Sequence, residues 1–331
     1  MTNVKIRAVE VYHPKNQVDN EFYLDHFRKQ GKEIASLLKA LGREKRYIID
    51  NDKENTLTMG IEAAKRVLAV EGLSGEDIDM IVFSSQLPEY TMPSQALIVH
   101  NAIGGKITTI CMDSNANCVG MISAMDNAMR YMLSNKHVNR ALIIGSDYIS
   151  THCKEDDEMS YPIFGDAASA VILEKTEEDC GLIDSIYQTD SSEWYKVTFP
   201  ACGLSKISNE DVSPQDKKIS WMPMDTDIYL TDNISDTLNL LLERNNLTKK
   251  DVNALCVTQY AKSLIKQISD KLEIDLNKFV FIGDEYGYTG TSSPLIALYE
   301  GIKSNQIKRG DIVMFWSVGI NWMRSTILIK Y

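Results

Sequence analysis

The chain has 331 residues, of which 44% are hydrophobic and 24% are charged, a composition that fits a globular α/β protein with a large buried core and argues against disorder. Its formal net charge of −11 and the lack of a concentrated basic face argue against a nucleic-acid-binding function. No stretch approaches the roughly 18 consecutive apolar residues of a membrane span, and the first residues show no apolar signal core, so we expect a cytoplasmic protein without a membrane segment.

A helix followed by a short strand occurs twice along the chain. Amphipathic helices are predicted over residues 58–70 and 233–245. Each is followed by a similar run, LSGEDIDMIVF from residue 73 and LTKKDVNALCV from residue 247, which ends in an apolar stretch typical of a buried strand. The two runs begin 174 positions apart.

A second repeated segment has nearly the same spacing. A Ser-Asn pair at 134–135 precedes a predicted strand at 142–144, and a Ser-Asn pair at 304–305 precedes another at 312–314. A unit this long is not a solenoid repeat and indicates two similar α/β halves packed about a pseudo-twofold axis. The sequence therefore predicts the thiolase fold, with its layers in the order αβαβα.

The repeat also predicts the division of the chain. We expect an N-terminal half over residues 1–175, which carries the candidate nucleophile, and a C-terminal half over 176–331. Residues 187–231 show no sustained period, contain several Pro, Gly and Trp residues, and break the repeat. We interpret them as an insertion that covers the site.

The six cysteines show no CxxC spacing, so the sequence predicts neither a disulfide framework nor a metal site. They are Cys111, Cys118, Cys153, Cys180, Cys202 and Cys256.

Cys118 has the most suggestive surroundings of these cysteines. A strand is predicted over 107–112, a turn over 113–117, and a helix that starts at Cys118. The unpaired N–H groups and positive dipole end of a helix start stabilise a thiolate and can hold a thioester oxyanion, which suits an acyl-accepting cysteine. The alternative is a small buried core residue, the interpretation we prefer for Cys111 and Cys256 within apolar strands.

Tyr288 occupies the equivalent position in the second half. It lies 170 positions after Cys118 and likewise follows an apolar run and a turn rich in Asn, Gly and Asp. We therefore expect the two helix starts to face one another across the centre of the molecule.

Four segments together resemble the ketoacyl synthase III family. Residues 113–121, DSNANCVGM, resemble its nucleophile motif, and residues 164–171, FGDAASAV, resemble its FGDGAGA segment. Residues 286–293, YGYTGTSS, resemble its YGNTSAAS segment, and residues 310–319 resemble its closing strand and glycine turn. The resemblance covers nearly the whole chain.

The resemblance implies an acyltransferase that carries its acyl group on Cys118 and uses acyl-CoA or a phosphopantetheine thioester as substrate, without a tightly bound cofactor. It also implies a homodimer in which Met92 enters the acyl pocket of the partner. Lys262 and Lys266, four residues apart on a predicted helix, lie close to where the family presents basic residues to an acyl carrier protein. Two solvated lysines on a helix face are an alternative interpretation of the pair.

The chain departs from the family at two of three catalytic positions. The PHQAN segment of the family falls on residues 258–262, TQYAK, so that Gln259 replaces the histidine, and Tyr288 replaces the asparagine of YGNTS. All five histidines precede residue 153, so none in the second half can take over the role. The predicted catalytic set is Cys118, Gln259 and Tyr288, with His152 considered as a substitute beside the alternative of an ordinary loop histidine.

Two further departures concern the oxyanion and the donor. The glycine turn reads Val318, Gly319 and Ile320 in place of consecutive glycines, and we expect the backbone of Cys118, Gly319 and Ile320 to hold the oxyanion. The arginine and tryptophan contacts of the family to coenzyme A have no clear match around residues 41–46.

These departures decide between mechanisms. Decarboxylative condensation forms an enolate that a neutral histidine and asparagine normally stabilise, whereas acylation of a cysteine needs less help. We therefore predict transfer of an acyl group from Cys118 to an oxygen, nitrogen or carbon nucleophile or a carrier thiol, in lipid or secondary-metabolite biosynthesis. The alternatives are a 3-oxoacyl synthase that condenses with malonyl carrier protein, with Gln259 and Tyr288 rebuilding the enolate site, and a non-catalytic scaffold subunit of a heteromeric synthase.

Overall fold

The computed structural model of the chain describes residues 2–223 and 227–331, without the side chains of residues 227–233 and 321. The strands are β1 Asn3–Tyr12, β2 Gln17–Asp19, β3 Lys45–Tyr47, β4 Met80–Ser84, β5 Ile110–Ser114, β6 Arg140–Asp147, β7 Ala167–Thr176, β8 Gly181–Thr189, β9 Val197–Thr198, β10 Ser220–Trp221, β11 Val252–Val257, β12 Ile312–Val318 and β13 Met323–Lys330. The helices are α1 Asn20–Arg28, α2 Ala35–Leu41, α3 Thr56–Val70, α4 Gln95–Ile103, α5 Gly120–Ser134, α6 Asp227–Arg244, α7 Lys262–Leu272, α8 Gly283–Tyr286 and α9 Ser293–Lys303. Within this described part, no helix combines the length and the apolar character that crossing a bilayer requires.

Two sheets of the same topology form the framework. The first has the strand order β1-β7-β6-β4-β5, and the second has the order β8-β13-β12-β11. In each sheet the first two pairings are antiparallel and the next is parallel. At the position that β5 occupies in the first sheet, the described part of the second sheet has a single parallel bridge between Leu255 and Phe279. The two halves are therefore structural repeats of one another.

Helices separate and cover the sheets in five layers. Helices α3 and α4 pack on the outer face of the first sheet, α5 and α9 lie between the sheets, and α6 and α7 cover the second sheet. Side chains of a strand alternate between faces, so Ile81 and Phe83 of β4 face the outer helices while Met80 and Val82 face the middle ones. This αβαβα arrangement confirms the fold predicted from the internal repeat.

The predicted division of the chain falls near a sheet boundary, but the predicted insertion is too long. The first sheet ends with β7 at residue 176 and the second begins with β8 at residue 181. The insertion predicted over 187–231 overlaps the end of β8 and the start of α6, because its first and last residues complete regular elements. Between them the chain forms the two-stranded ribbon of β9 and β10 and two short 3-10 turns, while residues 224–226 lie outside the described residues.

A backbone ladder joins the halves beside the middle helices. The N–H of Gly165 donates to the carbonyl of Tyr288 at 3.1 Å, and the N–H of Tyr288 donates to the carbonyl of Ile163 at 3.0 Å. A Cβ at position 165 would lie 1.9 Å from the carbonyl oxygen of Tyr286, so only glycine fits this crossing. The ladder fixes the backbone of Tyr288 against the first half.

The starts of the two middle helices meet as predicted, although α5 begins later than expected. The N–H of Met121 in the first turn of α5 donates to the Thr291 hydroxyl at 2.8 Å, just before α9. This bond satisfies one of the N–H groups that a helix start leaves free. The helix begins at Gly120 and not at Cys118, because the chain first turns through Asn117 at a positive φ of 53°.

The middle helices should carry a large share of the stability. Replacing Leu298 of α9, which is 0% exposed, with Ala should lower the free energy of unfolding by about 2–5 kcal/mol, since it removes apolar contacts and leaves a cavity. Leu133→Ala in α5 is the matched control because that leucine is 49% exposed, and it should change the free energy by less than about 1 kcal/mol. Urea unfolding of both variants measures the difference, and equal losses would contradict the layer assignment.

Candidate active site

The turn after β5 brings Cys118 to the centre of the molecule. Strand β5 pairs in parallel with β4, so the residues that follow both strands meet at one sheet edge. Asn117 adopts the left-handed backbone conformation that an asparagine tolerates better than most residues, and Cys118 follows it directly before α5. The side chain of Cys118 is 5% exposed. The predicted nucleophile, Cys118, is thus placed at the junction of the two halves.

The sulfur of Cys118 has three polar neighbours. Its Sγ lies 3.6 Å from Gln86 Oε1, to which the thiol donates. The Tyr288 hydroxyl and the N–H of Ile320 both donate towards the sulfur. The hydroxyl of Tyr288 in turn accepts a bond from Thr258 Oγ1 at 3.3 Å. Cys118 and Tyr288, paired by their spacing in the sequence, therefore meet in space.

Burial dominates the acidity of the Cys118 thiol. It raises the pKa of the Cys118 thiol to about 11, although the hydrogen bonds from Tyr288 and Ile320 act in the opposite direction. Burial therefore opposes the thiolate that we expected at a helix start, because it removes the sulfur from water. The thiol must therefore lose its proton during attack on the donor.

A buried carboxylate holds Gln86 in place. Asp147, at the end of β6, is fully buried, and its Oδ1 accepts from Ser85 Oγ at 2.9 Å and from the N–H of Gln86 at 2.8 Å. Its Oδ2 accepts from Gln86 Nε2 at 3.1 Å and from the N–H of Thr291 at 3.0 Å. Burial raises the pKa of Asp147, and these four donors oppose that shift. The carboxylate links the loop after β4 to the start of α9.

The structure does not bring Gln259 to the site. Its Nε2 donates to the carbonyls of Val257 at 2.9 Å and Val280 at 3.0 Å, and its Oε1 accepts from the N–H of Ile282 at 2.9 Å. The side chain is fully buried and does not line the cavity beside Cys118. The predicted placement of Gln259 is wrong because its amide satisfies backbone groups of the second half.

The predicted oxyanion donors are only partly available. The N–H of Gly319 donates to the carbonyl of Met323 at 2.7 Å, so its assignment to the oxyanion site is wrong. The N–H of Ile320 points at the sulfur and remains a candidate. The Ser317 hydroxyl donates to the carbonyl of Cys118 at 2.9 Å and thereby holds the turn that carries Cys118. The altered glycine turn therefore presents one donor to the site from Ile320.

A small cavity of about 150 Å³ opens beside Cys118. Its walls are mostly apolar and are formed by Leu87, Ile149, Phe164, Val197, Phe199, Ile219, Trp221 and Ile320, with Gln86, Asn115, Asn117, Thr198 and Tyr288 as polar members. Five of these residues, from Val197 to Trp221, belong to the predicted insertion. The same opening continues past Leu87 and Phe199 into a cleft of about 810 Å³. Met92 lines this cleft and is 86% exposed.

His152 lies in the outer cleft and does not line the inner cavity. Its ring packs against that of Phe199, with the ring centroids 4.4 Å apart. Burial and the nearby charge of Lys218 lower the pKa of His152 to about 4. The placement does not support His152 as a substitute for the missing catalytic histidine.

The two arginines of the 41–46 segment, Arg43 and Arg46, stabilise the fold by hydrogen bonds to backbone carbonyls. Arg43 is buried and donates to five backbone carbonyls, including those of Gln259 at 3.0 Å and Tyr260 at 2.7 Å. Arg46 is fully buried, donates to the carbonyl of Pro162 at 2.6 Å and covers the ring of Tyr23. Neither guanidinium is free to bind a nucleotide phosphate.

The two predicted carrier-binding lysines border a shallow groove on α7. Lys262 lies over the Phe281 ring at 5.3 Å, and Lys266 forms an ion pair with Asp270 on the same helix. The groove also contains Lys39 and is otherwise largely apolar. Among the described residues, no cluster of three or more His, Cys, Asp or Glu side chains forms a metal site.

Sequence reasoning missed Gln86 and Asp147. Both follow predicted strands whose carboxyl ends meet next to Cys118, and polar residues at that edge of parallel strands are candidates for a site. The signal was therefore present in Ser84-Ser85-Gln86 and Gly145-Ser146-Asp147, but it requires the strand order to be known.

Comparisons with known proteins agree with this geometry. Two family models match the chain, that of 3-oxoacyl-[acyl-carrier-protein] synthase III over residues 112–191 and that of its C-terminal region over residues 242–331. The β-ketoacyl-[acyl-carrier-protein] synthase III of Clostridium perfringens strain SM101 is 31% identical over 324 residues, which cover 97% of this chain and 98% of the relative. The corresponding protein of Clostridium novyi is 30% identical over 322 residues, 96% of each chain.

A solved structure shows the same fold. The 3-oxoacyl-[acyl-carrier-protein] synthase III of Aquifex aeolicus superposes with a TM-score of 0.86 at 24% identity over 99% of this chain and all of that chain. The layered fold and the central cysteine are those of a thiolase-fold acyltransferase. The matching models and the identity along almost the entire sequence show that the chain belongs to the 3-oxoacyl-[acyl-carrier-protein] synthase III family.

The acidity of Cys118 can be checked by alkylation. Because its pKa is about 11, the rate of alkylation by iodoacetamide should rise about tenfold per pH unit from pH 7 to pH 9.5, whereas the cysteine of a short unstructured peptide should level off above its ordinary pKa near 8.5. Tyr288→Phe keeps the ring but removes the donor to the sulfur, and should slow alkylation at every pH. Peptide mass spectrometry gives the rate at Cys118, and a plateau below pH 9 would contradict the assignment.

Proposed function

We propose that the chain takes an acyl group from a thioester onto Cys118 and passes it to a second substrate. The observation that carries the proposal is the position of Cys118 Sγ at the inner cavity, with the Tyr288 hydroxyl and the Ile320 N–H directed at it. Membership of an acyltransferase family whose model spans Cys118 supports it.

The loading step follows from these contacts. The thiol of Cys118 loses its proton as its sulfur attacks the thioester carbonyl, and the hydrogen bond from Tyr288 stabilises the negative charge on sulfur. The developing oxyanion is held by the backbone N–H of Ile320, with that of Cys118 as the predicted second donor. The bond between the acyl carbon and the donor sulfur then breaks, and the donor leaves as a thiol that takes up the proton.

Ordinary 3-oxoacyl synthesis is the second candidate. It is favoured by the names of the relatives, which are β-ketoacyl-[acyl-carrier-protein] synthases III. The geometry favours it less, because Gln259 is committed to backbone groups and Tyr288 is the only donor side chain among the three predicted catalytic residues that reaches Cys118. The loss of the enolate-stabilising pair is therefore not repaired at the predicted positions.

The donor is proposed to be a phosphopantetheine thioester carried by an acyl carrier protein, with acyl-CoA as the alternative. Arg43 and Arg46 are buried in carbonyl contacts and cannot reach a nucleotide. The groove with Lys39, Lys262 and Lys266 is the proposed surface for an acidic carrier, although the pairing of Lys266 with Asp270 reduces its charge. No tightly bound cofactor enters this reaction.

The assembly is proposed to be a homodimer that acts in the cytoplasm. Strand β5 lies at the edge of the first sheet and leaves its outer backbone without a neighbouring strand among the described residues. Met112 on β5 and Met92 at the cleft are both exposed in the single chain. Pairing of this edge with a second copy would cover β5 and bring the partner's Met92 towards the acyl cavity.

Acyl loading is the first test. Intact-protein mass spectrometry after incubation with butyryl-CoA or a butyryl carrier protein should show one added butyryl group on the wild type and none on Cys118→Ala. Addition of malonyl carrier protein then separates the two candidates: a persistent adduct supports transfer without decarboxylation, and discharge to a 3-oxoacyl product supports the synthase. The absence of an adduct from either donor would overturn both and favour the scaffold subunit.

The oligomeric state tests the role of β5. Light scattering after size exclusion should give a mass about twice the 37.3 kDa of one chain. Met112→Lys places a charge on the exposed edge and should shift the mass towards one chain, because a buried lysine would lack a partner. Leu240→Lys on the exposed face of α6 is the control and should leave the mass unchanged. A dimer that survives Met112→Lys would locate the interface elsewhere.

A further inference from the structure

Gln86 is the polar side chain next to Cys118 that the family motifs do not explain. Its Oε1 lies 3.6 Å from Cys118 Sγ, and it lines both the inner cavity and the outer cleft. It therefore stands where a second substrate coming from the cleft must pass to reach an acyl group on the sulfur.

The orientation of the Gln86 amide is fixed from behind. Nε2 donates to Asp147 Oδ2 at 3.1 Å, and the backbone N–H of Gln86 donates to Asp147 Oδ1 at 2.8 Å. Rotating the amide by half a turn would place Oε1 against a carboxylate oxygen and lose the bond. Because Asp147 is also held by Ser85 and Thr291, it cannot move to accommodate the rotated amide. Gln86 thus presents an acceptor, and only an acceptor, to the sulfur.

The backbone of Gly290 packs closely against Gln86 and Asp147. Gly290 has a positive φ of 64°, and a Cβ there would lie 2.5 Å from Asp147 Oδ2 and 3.0 Å from Gln86 Nε2. Because residue 290 is a glycine, the backbone before α9 can pack directly against the side chains of Asp147 and Gln86. The arrangement is built from both halves of the molecule and not from one flexible loop.

Loading of Cys118 changes what this acceptor faces. In the free protein the thiol donates to Oε1, but in the acyl-enzyme the sulfur carries no hydrogen. Oε1 then faces the reacting group without a donor from Cys118. This partly buried oxygen borders a largely apolar cavity, so a substrate that supplies a donor to it is favoured.

We propose that Gln86, positioned by Asp147, selects a protic acceptor, an alcohol or an amine, for the acyl group on Cys118. This inference rests on the proposed loading of Cys118 and names the class of the second substrate. An O–H or N–H that donates to Oε1 directs its lone pair at the thioester carbon. A malonyl-derived enolate has no such hydrogen and brings negative charge towards an acceptor oxygen.

The transfer balances without a further reactant. The oxygen or nitrogen of the acceptor forms a bond to the acyl carbon, and the bond between that carbon and Cys118 Sγ breaks. The proton of the acceptor passes to the sulfur, which restores the Cys118 thiol and its bond to Gln86 Oε1. The product is an ester or an amide, and the high pKa of the thiol favours uptake of that proton.

Single-turnover discharge tests the selection. The full-length protein is acylated with butyryl-N-acetylcysteamine, desalted, and mixed with benzyl alcohol, benzylamine or malonyl-N-acetylcysteamine, and loss of the butyryl mass is followed by intact-protein mass spectrometry. We expect discharge to the alcohol or the amine to be at least about tenfold faster than to the malonyl probe, corresponding to one hydrogen bond. Spontaneous aminolysis is measured on the denatured acyl-enzyme and subtracted.

Variants separate selection from packing. Gln86→Leu should slow discharge to the protic probes by about 10- to 100-fold while loading changes less, and Gln215→Leu on the exposed surface should change neither. Asp147→Asn frees the amide to rotate and should lower the ratio of protic to malonyl discharge, a ratio that a purely structural role would not move.

The outcomes are distinct. A malonyl probe that discharges the wild type as fast as the protic probes would overturn the inference while leaving acyl loading intact, and this comparison does not depend on any variant folding. Unchanged protic discharge in a folded Gln86→Leu would overturn it as well. Failure to load any butyryl group would overturn the proposed function itself.

Discussion

The acceptance of four hydrogen bonds by one buried carboxylate, Asp147, is the interaction on which the centre of this molecule depends. Two of the bonds come from Gln86, one comes from Ser85, and one comes from Thr291 at the start of α9. Thr291 in turn accepts the N–H of Met121 at the start of α5. A single side chain thereby ties together the loop after β4 and both middle helices. These four hydrogen bonds offset the cost of burying a carboxylate in the interior.

Cys118 contacts this network through the side chain of Gln86. Cys118 is buried, its acidity is suppressed, and its polar contacts come from three separate segments. In the proposed reaction, such a cysteine would act as a nucleophile only when a thioester occupies the cavity. That behaviour suits an enzyme that holds an acyl group until a second substrate arrives.

The repeat and the motifs were sufficient to predict the fold, the position of Cys118 and its proximity to Tyr288. The spacing of apolar residues along each segment shows whether it forms a strand or a helix and which of its faces is buried. They were insufficient for Gln259 and Gly319. The position of each in the chain was aligned with a functional residue of the family, but the direction of a side chain or an N–H depends on which partners the folded chain supplies. Gln259 satisfies three backbone groups, and Gly319 donates to Met323. The pairing of Asp147 with Gln86 was out of reach for the same reason.

The backbone ladder between residues 163–165 and Tyr288 holds the main chain of Tyr288 and leaves its side chain to contact Cys118. Tyr288 is placed by its own N–H and carbonyl, which any amino acid other than proline could offer, while its hydroxyl faces the sulfur. Another side chain at this position would keep the two backbone bonds but lose the stacking of the buried Tyr288 ring on Phe164, whereas Gly165 cannot change at all, because the crossing has no room for a Cβ. A new chemical group beside Cys118 can therefore be introduced at residue 288 only on a side chain that fills the same buried space, while residue 165 has to remain a glycine.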